Sequence, residues 1–325
     1  MPLPDLPPLS VLEHFAPHTR GLTWTRVPGG FSGASVWRGA DDLAPRVALK
    51  AWPAGTSLER LRQIHAWMAA ARGLSFVPEV LHGAGGSATF TDDHIWDCCR
   101  WRSGSPRPAP TAEEVAAACE AVARLHNAWA ALVPTQRGPC PGVQNRLRIL
   151  VENESLIRAG PDSLPPVSAQ LDPLLRRAVA AVVRAAPVAV GELRYWERHE
   201  FALRPCVRDL RGEHVLFSGH AVTGIIDFGA AGVDHPACDL ARLLGDLSDA
   251  DASLFAAGLS AYRALRPTFD APDAFVRLLA STGAVCSVLG WLVRLVVRRE
   301  PVPDTAATAA RLSALVARVD RSGRA

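Results

Sequence analysis

Lysine is almost missing from this chain. Of 35 Lys and Arg residues, only Lys50 is a lysine, and every other permanent cation is an arginine. Also missing is any Cys-x-x-Cys pair, so neither a zinc ribbon nor a thioredoxin-type motif is supported. The seven cysteines are instead scattered, with Cys98 and Cys99 adjacent and Cys119, Cys140, Cys206, Cys238 and Cys286 far apart. They read as reduced thiols of a cytoplasmic protein, behaving as small hydrophobes. There is no concentrated basic stripe: the net charge is +3 and arginines alternate with Asp and Glu, so nucleic acid is not an expected partner. The N-terminus lacks the basic and apolar regions of a secretory signal. The longest apolar run, Leu278 to Val297, nearly reaches bilayer length. It contains Ser281, Thr282, Ser287 and Arg294 and is followed by Arg298 and Arg299, so it reads as a buried helix, with no membrane partner expected. No internal repeat is present.

What is there is an ordinary globular composition, 49% hydrophobic and 21% charged, over 325 residues. That length suits one bilobal enzyme or two domains. The first third predicts strands over Leu22–Pro28, Ala34–Arg38 and Arg46–Trp52, separated by Gly and Asp turns. A helix follows over Ser57–Arg72, with Ser57 as N-cap, Leu58, Leu61, Ile64 and Met68 at helical spacing, and Gly73 as terminator. Ala88–Thr91 and His94–Cys99 predict a hairpin. Ser103 to Pro110 is a Gly/Pro/Ser-rich connector. Beyond it Thr111-x-x-Glu114 forms a capping box for a helix that carries Val115, Cys119, Val122, Leu125, Trp129 and Leu132 on one face. Further helices are predicted near Asn145–Arg158, Leu171–Ala186, Asp239–Leu247, Ala252–Leu265, Ala274–Arg299 and Thr305–Val319. One β-rich island, Val215–Phe217 and Val222–Ile226, interrupts them. The expected fold is α+β and bilobal: an N-lobe over 1–100, with a small antiparallel sheet and one helix, and a mainly helical C-lobe over 101–325.

Chemistry concentrates at a few points. The turn Pro28 to Ser35 holds three glycines, and its backbone could cradle phosphate around Gly30, Ser32, Gly33 and Ser35. Lys50 ends the third strand, where an ammonium can face phosphates if a helix glutamate holds it. Glu59, one turn into the next helix, is the expected partner. Lysine and arginine are not equivalent at such a site, and a chain that writes arginine elsewhere keeps lysine here. The densest cluster is Cys206-Val207-Arg208-Asp209-Leu210-Arg211-Gly212-Glu213-His214, followed by Ile226-Asp227-Phe228-Gly229. A hairpin between Asp209 and Asp227 is expected to bring the two carboxylates together, one to take a hydroxyl proton and the other to hold Mg²⁺ against phosphates. His126 reads as a satisfied core residue.

These residues resemble the aminoglycoside phosphotransferase family, which includes choline- and homoserine-kinase-like enzymes and has a protein-kinase-like fold. The family motif His-Gly-Asp-x-x-x-x-Asn is matched by Val207-Arg208-Asp209 and His214. The following Ile-Asp-Phe/Trp-Gly/Glu motif is matched by Ile226 to Gly229. The last, Asp-Pro-x-x-Asp-Leu-Ala, is matched by Asp234-His235-Pro236-Ala237-Cys238-Asp239-Leu240-Ala241. The resemblance spans roughly Leu22 to Leu247. It implies an ATP-dependent kinase of a small-molecule hydroxyl, with ATP and Mg²⁺ bound between the lobes. By that resemblance Asp209 is the catalytic base, with Arg208 beside it, and Asp227 is the metal-binding carboxylate. Lys50 and Glu59 anchor phosphate, Asp97 through Cys99 to Trp101 form the adenine hinge through their backbone, and Asp239 caps a helix and braces the catalytic loop. Two departures stand out. Val207-Arg208 replaces His-Gly, and His214 replaces the metal-binding Asn; its imidazole would suit Mn²⁺ better than Mg²⁺. A second reading is therefore a catalytically impaired pseudokinase serving as a nucleotide-binding module. Glu152, Glu154, Glu192, Glu197 and Glu200 are candidate carboxylates for a cationic acceptor.

Overall fold

The computed structural model describes residues 4–28, 33–134, 136–248, 251–302 and 304–322. It divides into two compact units: residues 1–107 with 213–229, and residues 108–212 with 230–325.

The first unit opens with short helices α1 (Leu9–His14) and α2 (Ala16–Thr19) and then builds a sheet. Its strands are β1 (Thr23–Val27), β2 (Ser35–Ala40), β3 (Pro45–Ala51), β4 (Val80–Leu81), β5 (Thr89–Thr91) and β6 (Ile95–Arg100). They pair antiparallel in the order β1-β2-β3-β6-β4, with β5 also on β6. Alternation does the sorting. On β3, Val47, Leu49 and Ala51 point into a core with Val11, Phe15, Trp37, Leu81, Trp96 and Cys98, while Ala48 and Lys50 take the other face. Trp37 and Trp96 meet there with ring centroids 5.2 Å apart. Between β3 and β4 runs α3 (Leu58–Ala70), where Ser57 Oγ accepts from the Arg60 N–H at 3.1 Å, as the sequence predicted. Its buried stripe is Leu61, Ile64, His65, Trp67 and Met68. The late stretch of this unit is a hairpin, Val215–Ser218 against Ala221–Ile225, that ends at Asp227.

The second unit is mainly helical: α4 (Ala112–Ala130), α5 (Pro141–Glu152), α6 (Glu154–Ala159), α7 (Asp172–Trp196), α8 (Ala237–Leu247), α9 (Ala252–Leu265), α10 (Asp273–Leu292) and α11 (Thr305–Ser322). The capping box at α4 forms in both directions, with Glu114 N–H on Thr111 Oγ1 at 3.3 Å and Thr111 N–H on Glu114 Oε2 at 2.9 Å. Two helices differ from expectation. The segment near Asn145–Arg158 breaks at Asn153 into α5 and α6. The segment near Leu171–Ala186 runs ten residues further, through Pro187, because Ala189 and Leu193 keep its inward stripe buried. The sequence also missed a three-stranded sheet of Gln136–Pro139, Glu200–Cys206 and Gly232–Asp234. Its central strand carries Arg204 and Pro205, which break the period-2 signal.

The apolar segment Asp273–Val297 is long and apolar enough to cross a membrane by composition, yet half of its most apolar window is buried inside the protein. It packs against α7, α8 and α11, as a core helix does. Helices α4 and α9 meet through Gly258, where an added Cβ would lie 2.5 Å from Leu244 Cδ2, 2.8 Å from Cys119 Sγ and 2.9 Å from Val115 Cγ1. The substitution Gly258→Val overpacks this seam and is expected to lower stability by about 2–3 kcal/mol. A denaturation midpoint equal to wild type would show that α9 can shift without cost.

Candidate active site

In the first unit the chain's single lysine meets the Asp-Phe-Gly carboxylate. Lys50 Nζ lies 3.1 Å from Asp227 Oδ1, and the ammonium also sits 4.1 Å above the ring of Trp52. The helix glutamate does not take part. Glu59 lies exposed in the first turn of α3 and makes no ion pair among the described residues, so the expected Lys50–Glu59 pair is corrected to Lys50–Asp227. The reason is the phase of α3: its buried stripe is 61, 64, 65, 67 and 68, which excludes 59. The stripe instead delivers His65, whose Nε2 is 2.8 Å from Asp97 Oδ2 in a buried pair. Asp97 is the cross-strand partner of Lys50. A histidine on an apolar stripe facing a strand carboxylate was the signal that could have found this pair.

The same register places Asp97 and Cys99 of the expected hinge within the sheet. Asp97 is flanked by Lys50 on β3 and Thr89 on β5, and Cys99 by Ala48 on β3 and Val80 on β4. Their backbone groups serve the ladder on both sides, and the Trp101 N–H bonds Arg46 O at 2.9 Å.

Asp227 has φ +60°, the left-handed region that costs a non-glycine residue about 1–2 kcal/mol. In this conformation the carboxylate reaches Lys50 on β3. The Gly229 N–H also approaches Oδ1, at 3.4 Å. Burial pushes the Asp227 carboxyl up, but the charge of Lys50, then that of His214, then the bonds from Lys50 and Gly229 outweigh it, and the group ends below the usual carboxylate value. His214 closes the turn before the hairpin: its carbonyl accepts from the Ile226 N–H at 2.9 Å, and its Nε2 is 3.9 Å from Glu213 Oε1. Of the glycine-rich turn, Gly30 and Ser32 lie outside the described residues. Gly33 takes φ +76°, which suits glycine, and Ser35 Oγ accepts from Arg26 Nη2 at 3.0 Å.

In the second unit, Asp209 sits in a loop whose entry is held from below. Asp239, fully buried on α8, accepts the Val207 and Arg208 N–H groups, each at 2.6 Å. His126 Nε2 lies 3.0 Å from Asp239 Oδ2, and His126 Nδ1 lies 2.8 Å from Tyr262 Oη. An ionised Asp can only accept, so Nε2 carries the proton and Nδ1 accepts from tyrosine. Burial pulls His126 below its usual value despite Asp239, which keeps the ring neutral. Arg208 adopts φ +69°, and its side chain packs over Gly232, with Nε 3.7 Å from Asp234 Oδ2. The family motif has glycine at this position, and the positive φ gives the physical reason. Asp209 Oδ1 itself is 3.1 Å from Arg211 Nε and 3.3 Å from Arg242 Nη2. Arg242, on α8, was not singled out in the sequence, because nothing local links it to a loop 33 residues earlier. Of the candidate acceptor carboxylates, Glu152 bonds Arg148 and Glu154 bonds Arg158 as surface i,i+4 pairs, and Glu192, Glu197 and Glu200 are exposed.

Residues 23–275 match the model of the phosphotransferase enzyme family. The chain belongs to this family. It is accordingly a phosphotransferase of the kinase type. No curated protein matches the sequence significantly. Among solved structures, an aminoglycoside phosphotransferase from Alicyclobacillus acidocaldarius is similar, with a TM-score of 0.63 and 18% identity over 99% of this chain and 94% of that one. Spectinomycin phosphotransferase, solved with ADP and spectinomycin, superposes with a TM-score of 0.70 and 10% identity over 98% of each chain. A macrolide 2'-phosphotransferase from Brachybacterium faecium gives 0.58 and 17% over 94% of this chain and 96% of that one. At these identities the likeness shows the fold, which is protein-kinase-like.

Two outcomes follow for this family member. Asp239→Ala leaves the Val207 and Arg208 N–H groups without their acceptor and should cost about 3 kcal/mol, read as a lowered unfolding midpoint. A loss under about 0.5 kcal/mol would mean that water replaces the carboxylate. The depressed Asp227 carboxyl contributes stability above the unfolded value of about 3.9, and that contribution is lost as pH falls through its lower folded value. A carboxyl NMR titration should therefore place the Asp227 midpoint below 3.9 and move it upward in Lys50→Met.

Proposed function

We propose that this phosphotransferase is ATP-dependent and transfers the terminal phosphoryl group to a hydroxyl of a small molecule. The observation that carries the reading is the Lys50–Asp227 pair, which joins the only lysine to the Asp-Phe-Gly carboxylate across 177 positions of sequence. A plain strand lysine has no reason to be held there. In the reading, Lys50 supplies a compact charge for phosphate oxygens, and the turn at Gly33 and Ser35 supplies backbone donors. Asp227 fits Mg²⁺, which takes hard oxygen donors: both contacts described above fall on Oδ1, leaving Oδ2 on a side chain that is 40% exposed. His214 fits a softer ion such as Mn²⁺ better than Mg²⁺. The metal, when bound, neutralises and orients phosphate oxygens. Asp209 accepts the proton of the acceptor hydroxyl, with Arg211 and Arg242 fixing the orientation of its carboxylate.

The division into an N-lobe over 1–100 and a C-lobe over 101–325 belongs to this proposal. So does a cytoplasmic setting, which the seven free thiols support. The pairing of Glu152 and Glu154 with arginines favours no polycationic acceptor, so the acceptor is left as a small-molecule alcohol.

The test is a thermal-shift titration with ATP and ADP, in Mg²⁺ and separately in Mn²⁺, on wild type and Asp227→Ala. Nucleotide at a hundred times its dissociation constant should stabilise the protein by about 2.7 kcal/mol, with the metal-dependent part lost in the variant. Asp209→Asn should keep the shift and lose roughly 10²–10⁴-fold in phosphoryl transfer or slow ATP hydrolysis. No shift with either nucleotide would overturn the reading. A shift with no turnover even in wild type would identify a nucleotide-binding pseudokinase.

A further inference from the structure

A second cluster of chemistry lies inside the second unit, away from Asp209 in role and composition. Cys140 is the N-cap of α5, Cys238 is in the first turn of α8, and Asp234 ends the strand Gly232–Asp234. All three are buried, at 0%, 4% and 2% exposure. The two Sγ atoms are 3.6 Å apart, and they lie 3.4 and 3.3 Å from Asp234 Oδ1. A tetrahedral zinc ion, at about 2.3 Å from sulfur and about 2.0 Å from oxygen, keeps its donors roughly 3.5–3.8 Å apart. The triangle is therefore already close to coordination size.

Three further observations point the same way. Asp234 Oδ1 accepts the Gly142 N–H at 3.0 Å and the His235 N–H at 2.8 Å as well as both thiols. Four donors crowd an oxygen with two lone pairs, and the thiol protons are the weakest of them. A cation in place of those two protons lowers the number of partners on that oxygen from four to three. Gly142 is required for the approach, since a Cβ there would overlap Cys238 Sγ. Lastly, Arg146 stands one turn along α5, with Nη1 on Gly142 O at 2.8 Å and a buried Nε that has no hydrogen-bond partner. Two thiolates, one carboxylate and one divalent ion sum to −1, and this guanidinium offsets it. The other buried trio, His126, Cys206 and Asp239, brings a single sulfur and an imidazole whose two nitrogens are both engaged, by Asp239 and by Tyr262.

We propose that Cys140, Asp234 and Cys238 form a binding site for a thiophilic divalent cation, zinc by the chemistry of the donors, which clips the starts of α5 and α8 to the strand Gly232–Asp234. Magnesium is excluded as the occupant, because it takes oxygen donors and not thiolates. A thiol binds a metal ion as its thiolate. Binding therefore displaces two protons, and affinity falls as pH is lowered.

The test is titration of the reduced full-length protein with Co²⁺ and with Zn²⁺ in competition. One equivalent of Co²⁺ should give a thiolate-to-cobalt band in the near ultraviolet, displaced by Zn²⁺, with two protons released per ion. Cys140→Ser and Cys238→Ser should each weaken the band, while Cys98→Ser, in the other unit, should leave it unchanged. Anomalous diffraction at the zinc edge on wild-type crystals needs no variant and should place one peak within bonding distance of both sulfurs. Absence of a stoichiometric band, a zinc peak elsewhere, or a Cys140–Cys238 disulfide formed in place of metal binding would each overturn the proposal.

Discussion

The second unit is organised around one buried charge. Asp239 has no exposure, yet it carries a carboxylate, and a buried carboxylate must be fully hydrogen-bonded. Its partners come from the loop entry, through Val207 and Arg208 N–H, and from α4, through His126. Tyr262 on α9 completes the set behind the imidazole. Three helices and a loop are thus tied to a single side chain. The loop can then afford Arg208 in a left-handed conformation that it would not hold alone.

The first unit solves a related problem differently. Lys50 cannot be left on a half-covered sheet face without a partner, and the partner is not the helix carboxylate but Asp227, delivered by a hairpin from far along the chain. Asp227 is itself in a left-handed conformation. The two non-glycine residues at φ +69° and +60° therefore flank the two motif aspartates or form them. Strain of this kind persists where surrounding structure over-determines it, and here the determinants are named: Asp239 for one and Lys50 with Gly229 for the other.

Arginine dominance has consequences of its own. Guanidinium groups carry the surface i,i+4 pairs, the Asp209 contacts and the buried charge beside Cys140 and Cys238. The one place that calls for a compact ammonium keeps lysine. Composition thus pointed to Lys50 without indicating what would hold it.

Local signals were legible in the sequence: the strands of the first sheet apart from β4, the Ser57 cap, the Thr111–Glu114 capping box, and the Asp209 and Asp227 motifs. Each depends on residues within a few positions of one another, and short-range hydrogen bonding or alternation is enough to specify it. Helix phase and strand register were decided only by the tertiary structure. They chose His65 over Glu59 as the inward residue of α3, spent the backbone of Asp97 and Cys99 in the ladder, and brought Arg242 to Asp209. Such choices turn on which face is buried against a distant element, and on charges that pair only once that burial has happened.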